Sequence, residues 1–315
     1  MKITVLDAST LGADLDLSPL NEVGEVEIYG TTAPEDVAAR IAESEVVLIN
    51  KIKLNGTNLG GARNLKLICI AATGYDNIDT EYCREHGIAV SNVVGYSTQS
   101  VAQVTLSMAL SLYTHLPEYT KAVEDGSYSC GGVANKLSPV YHEICGKTWG
   151  IVGYGNIGKQ VAAVARAMGC EIIAFKRTPE DGVECVSLDE LCLRADIISI
   201  HLPLSDATRG IIGEREISLM KKDAIVINVA RGAVTDEAAL ACAVAGGKLG
   251  GIGVDVYSVE PMPKDHPFYP IKDMPNVCLT PHMAWGAAEA RARCLEEIIK
   301  NINAFFGGER RCRVD

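Results

Sequence analysis

One glycine pattern constrains the fold more than any other stretch of the sequence. An apolar run at Thr148–Val152 leads into Gly153-Tyr154-Gly155-Asn156-Ile157-Gly158, whose glycines are spaced G-x-G-x-x-G. A helical pattern at residues 159–168 and a second apolar run at Glu171–Phe175 follow. In this order of strand, glycine turn, helix and strand, the motif typically binds the diphosphate of a dinucleotide at the helix N-terminus. We therefore expect a dinucleotide site here, although the same glycines could serve only a tight turn.

The alternation of strands and helices continues to the end of the chain. Further strands are predicted at residues 196–202, 224–230, 250–256 and 277–280, and helices at 188–194, 214–220, 236–245 and 287–306. With the two strands around the glycine turn, this part of the chain has six strands, as in a doubly wound dinucleotide-binding sheet. The last helix is expected to return to the first part of the chain.

The first hundred residues show the same alternation. Strands are predicted at residues 3–6, 26–29, 46–49, 67–71 and 88–90, and helices at 34–44 and 80–86. Such alternation predicts a parallel sheet covered on both faces. The expected fold is thus α/β, with two doubly wound parallel-sheet domains. A Rossmann-type cofactor domain of residues 99–282 is inserted in a flavodoxin-like substrate domain of residues 1–98 and 283–315.

A long helix is predicted at the start of the cofactor domain, at residues 98–116, and Pro117 is expected to end it. It is apolar on nearly all sides, so both faces should be buried, and a second subunit could cover one of them. Polar residues throughout this run argue against a membrane span; they are Gln103, Thr105, Ser107, Ser111 and His115. A loop-rich stretch is expected between this helix and Thr148.

Charge and cysteine content exclude several classes of function. The 315 residues are 48% hydrophobic and 22% charged, and the net charge of −11 argues against general binding of nucleic acid or anionic membranes. An acidic chain can still bind an anionic substrate through a local arginine. The N-terminus does not resemble a signal peptide, and the eleven cysteines are scattered without a C-x-x-C pair. These features predict reduced thiols in a cytoplasmic protein and no metal site.

Three ionisable residues follow predicted strands of the cofactor domain. Arg231 comes after the strand at 224–230, Glu260 lies in the loop after 250–256, and His282 follows 277–280. Any one of them could be an ordinary surface or structural residue, but parallel strands bring their carboxyl ends to one edge. A guanidinium can clamp a carboxylate, histidine can exchange the proton of an alcohol, and a carboxylate can orient the imidazole. The set suits hydride transfer on a hydroxy acid.

Five motifs make the sequence resemble the D-2-hydroxyacid dehydrogenases. They are the glycine turn, His201-Leu202-Pro203-Leu204, Asn228-Val229-Ala230-Arg231-Gly232, Asp255-Val256 with Glu260-Pro261, and Thr280-Pro281-His282. The likeness covers essentially the whole chain. It implies hydride transfer between a nicotinamide cofactor and a small anionic D-2-hydroxy acid or 2-keto acid. Arg231, Glu260 and His282 would be the catalytic set, with His282 as the acid/base.

The resemblance also implies binding residues and an assembly. The substrate would contact Lys51, Thr73, Gly74, Arg231 and Trp285, with Thr73 and Gly74 acting through backbone amides. Trp285 could equally be a core residue. The cofactor would contact the glycine turn and residues at later strand ends, which are Gly153, Tyr154, Gly155, Asn156, Ile157, Gly158, His201, Pro203, Thr208, Val229, Ala230, Asp255 and His282. Asp255 would lie against the nicotinamide carboxamide, and the long helix would belong to a homodimer interface.

The choice between NAD and NADP depends on the end of the second strand of the cofactor domain. NAD-specific members of such folds carry an acidic residue there, about twenty residues past the fingerprint, which binds the ribose hydroxyls. Here Lys176, Arg177 and Thr178 occupy this position. Two positive charges and a hydroxyl could bind the 2′-phosphate of NADP, or the charges could simply be solvated. We expect NAD(P), with a lean towards NADP.

Substrate identity is the least constrained inference. Asn50-Lys51, Gln103 and His282-Met283-Ala284-Trp285 most resemble the glycerate dehydrogenase, or hydroxypyruvate reductase, branch of the family. Glycerate with hydroxypyruvate, or glyoxylate, is therefore favoured, while lactate-type and bulkier substrates stay open. A non-catalytic, dinucleotide-sensing regulator with the same fold is the alternative from another class. The intact Arg–Glu–His set favours the enzyme.

Overall fold

The computed structural model describes all 315 residues, and the chain divides into two compact units. The first unit comprises Met1–Ser97 and Gly286–Asp315, and the second comprises Thr98–Trp285. Each unit is built on one sheet in which every pair of neighbouring strands is parallel. The expected α/β class with two parallel-sheet domains is confirmed.

The first unit has five strands in the order β2-β1-β3-β4-β5, which is the flavodoxin-like order. The strands are β1 (Lys2–Val5), β2 (Glu25–Ile28), β3 (Val46–Ile49), β4 (Leu67–Ile70) and β5 (Ala89–Ser91). The helices are α1 (Val37–Ile41), α2 (Gly56–Leu59) and α3 (Thr80–Glu85). The helix predicted at 34–44 is shorter, because its first residues, Pro34–Asp36, form a 3₁₀ turn. β3 and β4 are buried along their whole length, as expected for central strands with both faces covered.

The second unit has seven strands in the order β12-β11-β10-β9-β6-β7-β8. They are β6 (Thr148–Val152), β7 (Glu171–Phe175), β8 (Glu184–Cys185), β9 (Ile197–Ile200), β10 (Ile225–Asn228), β11 (Gly251–Val254) and β12 (Val277–Leu279). The helices that follow β6 are α6 (Asn156–Ala167), α7 (Leu188–Arg194), α8 (Glu214–Leu219) and α9 (Glu237–Ala245). This is the dinucleotide-binding order extended by one strand, and the order reverses between β6 and β9. The expected count of six strands missed β8, which has only two residues and no buried face.

The helix expected at residues 98–116 is present but ends three residues early, and a second helix follows it. The first, α4 (Thr98–Tyr113), ends before Pro117, and His115 adopts a left-handed backbone with φ of 51°. Pro117 lies in the first turn of the second helix, α5 (Leu116–Glu124). Proline fits there because the first N–H groups of a helix have no intrahelical acceptor. The proline therefore begins a helix within the stretch that was expected to be loops.

One side of α4 is buried in the single chain, and the expected burial of the other side against a second subunit stays a prediction. Val101, Met108 and Leu112 belong to an apolar core that α4 forms with strands of the second sheet. Gln99 and Gln103, one turn apart on another side of α4, are exposed. No helix of the chain combines the length and the apolar character needed to cross a membrane. All eleven cysteines are free thiols, and five of them are buried. The expected cytoplasmic location stays a prediction.

The last helix, α10 (Ala288–Phe306), belongs to the first unit and packs against β4. Its buried side is apolar and includes Leu295, Ile298 and Ile302. Arg293 donates two hydrogen bonds to the carbonyl oxygen of Tyr96, at 3.1 and 3.0 Å. These contacts fasten the C-terminal part of the chain to the first unit.

Candidate active site

The glycine turn after β6 has the shape that a diphosphate requires. Gly153 has φ of 101°, a region that glycine enters without steric cost, and a Cβ there would lie 2.8 Å from the carbonyl carbon of His201. A Cβ on Gly158 would lie 2.4 Å from the Gly153 oxygen. Gly155, at the N-cap of α6, differs because nothing lies within 4 Å of the place its Cβ would take. Backbone N–H groups at this helix start are thus open to an anion, and the turn fits the proposed dinucleotide.

Some of the expected cofactor residues, in the glycine turn and after β10, can offer a ligand mainly their backbone. The Tyr154 side chain is 7% exposed and belongs to the apolar core, with Ile157 packed against it. Val229 and Ala230, directly after β10, are also buried, and the Ala230 N–H donates to Asn228 Oδ1 at 3.0 Å. Any contact of these residues with a cofactor would use main-chain atoms or the edge of an apolar side chain.

His201 follows β9 beside the glycine turn and carries a buried, unpaired ring nitrogen. Its Nε2 lies 3.0 Å from Ser199 Oγ, which also accepts from Trp149 Nε1 at 3.0 Å. Nδ1 is buried without a hydrogen-bond partner. Burial lowers the pKa of His201 to about 3, so the ring is neutral.

The loop after His201 is fixed by the Thr208 side chain. Its hydroxyl donates to the Pro203 carbonyl oxygen at 2.6 Å and accepts from the Ser205 N–H at 2.8 Å. Pro203 and Thr208, which are expected to contact the cofactor, therefore lie in a loop whose turn is fixed by these hydrogen bonds. The hydroxyl of Thr208 serves this turn in the structure.

The positive residues expected to bind a 2′-phosphate lie directly after β7, and one of them is engaged. Lys176 is half-buried and forms an ion pair with Glu180, while Arg177 and Thr178 are exposed. Glu180 also pairs with Lys159 of α6. The sequence reasoning missed Glu180, although its place four residues after Lys176 was a signal.

Arg231 follows β10 in a turn that the Asn228 side chain braces. Asn228 Nδ2 donates to the Arg231 carbonyl oxygen at 2.9 Å, and Arg231 Nη1 donates to the Ala230 oxygen at 2.9 Å. The next residue, Gly232, touches the loop after β11: a Cβ there would lie 2.1 Å from the Ser258 nitrogen. Glycine is required at 232 because this close approach leaves no room for a side chain.

The loop that carries Glu260 is anchored to α9. The buried Glu237 carboxylate accepts from the Ser258 N–H at 2.9 Å and from its hydroxyl. His266 Nε2 lies 3.1 Å from the same carboxylate. Glu260 Oε1 in turn accepts from the Tyr257 N–H at 3.0 Å. Sequence reasoning did not identify Glu237 or His266 as supports of this loop, since nothing in their spacing points to it.

Glu260 and His282, predicted to act together, are in contact. His282 Nδ1 lies 2.7 Å from Glu260 Oε2, and the two side chains are 20% and 31% exposed. An ionised carboxylate can only accept, so Nδ1 carries the proton of this hydrogen bond. His282 has φ of 53°, uncommon for a residue with a Cβ, and Trp285 Nε1 donates to its carbonyl oxygen at 3.0 Å. The surrounding contacts hold the imidazole in a defined place.

Asp255 holds the backbone that carries His282. Its buried carboxylate accepts from the Met283 N–H at 2.9 Å, the Ala284 N–H at 2.9 Å and the Thr280 hydroxyl at 2.5 Å. Three donors on one carboxylate fix the turn around His282 from both sides. This positioning contact was not foreseen, because the family pattern directed attention to the cofactor.

Arg231, Glu260 and His282 lie at one edge of the second sheet. They follow β10, β11 and β12, which are adjacent and parallel. The sheet order thus brings the three loops together at the carboxyl edge, where doubly wound folds bind their ligands.

The expected substrate residues of the first unit also follow adjacent strands. Lys51 comes two residues after β3, and Thr73 lies just beyond β4. Asp7, after β1, accepts from the N–H groups of Asn50 and Lys51 at 2.9 and 2.6 Å, and from that of Ile52 at 3.3 Å. Burial raises the pKa of Asp7, against the effect of these donors. Asp7 was not predicted as a site residue, and it fixes the loop that presents Lys51.

Comparison with known proteins agrees with this arrangement. The family described as "D-isomer specific 2-hydroxyacid dehydrogenase, NAD binding domain" matches residues 106–284. A glycerate dehydrogenase of Methylorubrum extorquens is 34% identical over 309 residues, covering 98% of this chain and 97% of its own. A hydroxypyruvate reductase of Blautia hydrogenotrophica is 32% identical over 317 residues, covering 98% of each chain.

Solved structures show the same fold over the full length. An acyclic imino acid reductase in complex with NADPH and D-Arg matches with a TM-score of 0.88 and 29% identity, covering 100% of both chains. The resemblance that the five motifs indicated is confirmed. The chain belongs to the D-isomer specific 2-hydroxyacid dehydrogenase family and is an oxidoreductase with a nicotinamide cofactor.

Proposed function

We propose that the protein interconverts a small 2-keto acid and its D-2-hydroxy acid, with hydroxypyruvate and glycerate, or glyoxylate, as the favoured substrates. The contact of 2.7 Å between His282 Nδ1 and Glu260 Oε2 carries this proposal. A histidine fixed by a carboxylate at the carboxyl edge of a dinucleotide-binding sheet is suited to proton exchange with an alcohol. The glycerate dehydrogenase and hydroxypyruvate reductase relatives support the substrate class.

The roles of the three residues follow from their chemistry. The nicotinamide, when bound, supplies the hydride for reduction and accepts it for oxidation. With Nδ1 bonded to Glu260, His282 Nε2 gives a proton to the carbonyl oxygen in reduction and takes it from the hydroxyl in oxidation. Arg231 binds the substrate carboxylate with its guanidinium and polarises the adjacent carbonyl. Glu260 acts through His282 by fixing its orientation.

We further propose that the first unit supplies substrate contacts. The Thr73 hydroxyl donates to the Val93 oxygen at 2.7 Å, so Thr73, with Gly74, is left to act through backbone amides. Lys51, presented by the loop that Asp7 fixes, would add a positive charge for the carboxylate. Trp285 uses its indole N–H on the backbone of His282, so only its ring surface would face a substrate.

The cofactor is NAD(P), and we propose that NADPH is accepted. Arg177 and Thr178 are exposed after β7, where the adenosine ribose is expected, and they offer a positive charge and a hydroxyl to a 2′-phosphate. Lys176 adds a second positive charge at the same place, although its ammonium group is already paired with Glu180. The relative solved with NADPH supports this acceptance, while the matched family is described by NAD.

We propose a homodimer as the assembly. Apolar side chains on α5 and in the segment after it are more than half exposed in the single chain; they are Leu116, Val123, Val133, Leu137, Val140 and Tyr141. Such a concentration on one segment is typical of an interface between proteins. A second copy of the chain is the partner that the family resemblance implies, and light scattering should give twice the mass of 33.6 kDa.

Initial rates with the purified protein test the proposed reaction. Hydroxypyruvate, glyoxylate, pyruvate and a bulkier 2-keto acid are each reduced with NADH and NADPH in parallel. We expect the highest kcat/KM with hydroxypyruvate or glyoxylate and measurable turnover with NADPH. Binding of cofactor without turnover of any keto acid would contradict the proposal and favour a dinucleotide-sensing regulator.

A further inference from the structure

The loop between β7 and β8 is fastened to α6 by charged and polar contacts. One carboxylate oxygen of Glu180 forms an ion pair with Lys176, and the other forms an ion pair with Lys159 of α6. Further along α6, Arg166 donates to the Gly182 oxygen at 2.8 Å. The hydrogen bonds from Lys159 and Lys176 lower the pKa of Glu180, so its carboxylate is ionised at neutral pH. The loop thus holds one fixed anion between two ammonium groups.

This anion lies where the ribose of the adenosine would be bound. In the doubly wound fold, the residues after the second strand, here β7, recognise the 2′-hydroxyl of NAD or the 2′-phosphate of NADP. Two ammonium groups on opposite oxygens of a carboxylate would suit the oxygens of a phosphate equally well. Glu180 is therefore paired with the two lysines that would otherwise be available to a 2′-phosphate.

We propose that Glu180 is a specificity-determining residue, whose carboxylate competes with the 2′-phosphate of NADP for Lys159 and Lys176 and so limits the preference for NADP over NAD. This inference rests on the proposed cofactor site. NAD has no 2′-phosphate and can bind with both ion pairs intact. NADP must displace the carboxylate, or be bound by Arg177 and Thr178 beside an uncompensated negative charge.

The effect is confined to the 2′ position, which makes it separable from the rest of cofactor binding. A phosphate carries up to two negative charges near neutral pH, so its repulsion by an adjacent carboxylate is strong. The diphosphate would be bound at the start of α6, on the N–H groups of the glycine turn, whereas Glu180 lies in the loop after β7. Removing the Glu180 charge should therefore strengthen ligands that carry a 2′-phosphate and leave other adenosine ligands nearly unchanged.

Calorimetric binding of two dead-end ligands tests the proposal without any turnover. 2′,5′-ADP and 5′-ADP differ in the 2′-phosphate, and neither contains a nicotinamide. Glu180→Gln keeps the shape of the side chain and removes its charge. We expect this variant to bind 2′,5′-ADP about tenfold more tightly than wild type, a change typical of one charge-assisted contact. Its Kd for 5′-ADP should change by less than about twofold.

Two further variants separate local competition from a general effect of charge. Asp181→Asn removes the adjacent, exposed carboxylate and gives the same change in net charge, so it should shift the Kd of 2′,5′-ADP by less than about twofold. In a Lys159→Ala, Lys176→Ala background, Glu180→Gln should no longer tighten 2′,5′-ADP, because the contested cations are gone. Both results together support competition for the lysines.

The outcomes distinguish this inference from the proposed function. An unchanged ratio of the two Kd values in Glu180→Gln would overturn the role of Glu180, and so would an equal gain in Asp181→Asn. If neither ligand bound to wild type, the cofactor site itself would be wrong and both proposals would fall. Binding with the expected ratio but without keto-acid turnover would support Glu180 and count against the proposed reaction alone.

Discussion

The carboxyl edge of the second sheet has two parts, a β10–β12 edge and a β7 edge, which are built by different physical means. At the β10–β12 edge, buried carboxylates fix loops through several hydrogen bonds to backbone N–H groups, as Asp255 does for the turn around His282. At the β7 edge, Lys159, Lys176 and Glu180 form ion pairs near solvent. Buried, fully paired carboxylates keep a reacting group in place, whereas exposed ion pairs are worth little and exchange easily. The comparison indicates that geometry is fixed where we propose that the chemistry occurs, and that ion pairs can exchange where we propose that the cofactor is selected.

The largest change short of removing His282 is expected at Glu260. Glu260→Ala removes the acceptor for His282 Nδ1 and should lower kcat by about a hundredfold. Glu260→Gln keeps an acceptor oxygen without the charge and should lose only part of that factor. KM should change little in either variant, because Glu260 acts through His282. Steady-state kinetics of both variants check this, and a loss expressed mainly in KM would contradict the positioning role.

A smaller loss of activity, with a loss of stability, is expected at Asp255. Asp255→Ala leaves the Met283 and Ala284 N–H groups without their acceptor, which should cost about 3 kcal/mol in the free energy of unfolding. The turn around His282 loosens, so kcat should also fall, by about tenfold. Urea unfolding and kinetics on the same samples measure both effects. A variant with wild-type stability would show that this edge is less firmly fixed than the contacts indicate.

The His201 imidazole, whose Nδ1 is buried, predicts a dependence of stability on pH. Its folded pKa of about 3 lies below the ordinary value of 6.5, so its contribution is present above the ordinary pKa and is lost as the pH falls towards 3. Between pH 7 and 5, wild type should lose about 2 kcal/mol more unfolding free energy than His201→Gln. Unfolding followed by tryptophan fluorescence measures this, and parallel curves for the two proteins would refute it.

The smallest effect is expected at the β7 edge. Arg177→Ala should weaken NADPH binding by about fivefold, as for the loss of one exposed contact with a phosphate, and should leave NADH binding and stability nearly unchanged. Fluorescence titration with both cofactors checks the difference. A drop in stability comparable to that of Asp255→Ala would remove the contrast between the two edges.

Much of the fold could be predicted because apolar runs and glycines act locally. The G-x-G-x-x-G pattern and the strands around it placed β6, α6 and β7, since a left-handed Gly153 and a close contact at Gly158 need glycine. β8 could not be foreseen from two residues without a buried face, and Pro117 is compatible with either end of a helix. Local patterns thus give elements more reliably than they give their ends.

The candidate site was predictable only in part, for a physical reason. The residues proposed to contact substrate or cofactor follow parallel strands. Their positions in the sequence were therefore enough to predict that Glu260 and His282 lie at one edge of the sheet. The residues that support these loops act through contacts with the backbone of other segments: Asp255 and Glu237 support the loops of His282 and Glu260, and Asp7 supports the loop of Lys51. The pairing of Glu180 with Lys159 of α6 is likewise a product of the fold, although its spacing from Lys176 was visible in the sequence.

The most direct test of the account is the reduction of hydroxypyruvate by His282→Ala, with cofactor affinity measured on the same samples. If His282 exchanges the proton of the substrate, kcat should fall by about a thousandfold while the Kd of NADPH stays within about twofold of wild type. Full activity in this variant would contradict the assignment of His282. An equal loss of cofactor binding would show that His282 serves the cofactor site instead of the proton transfer.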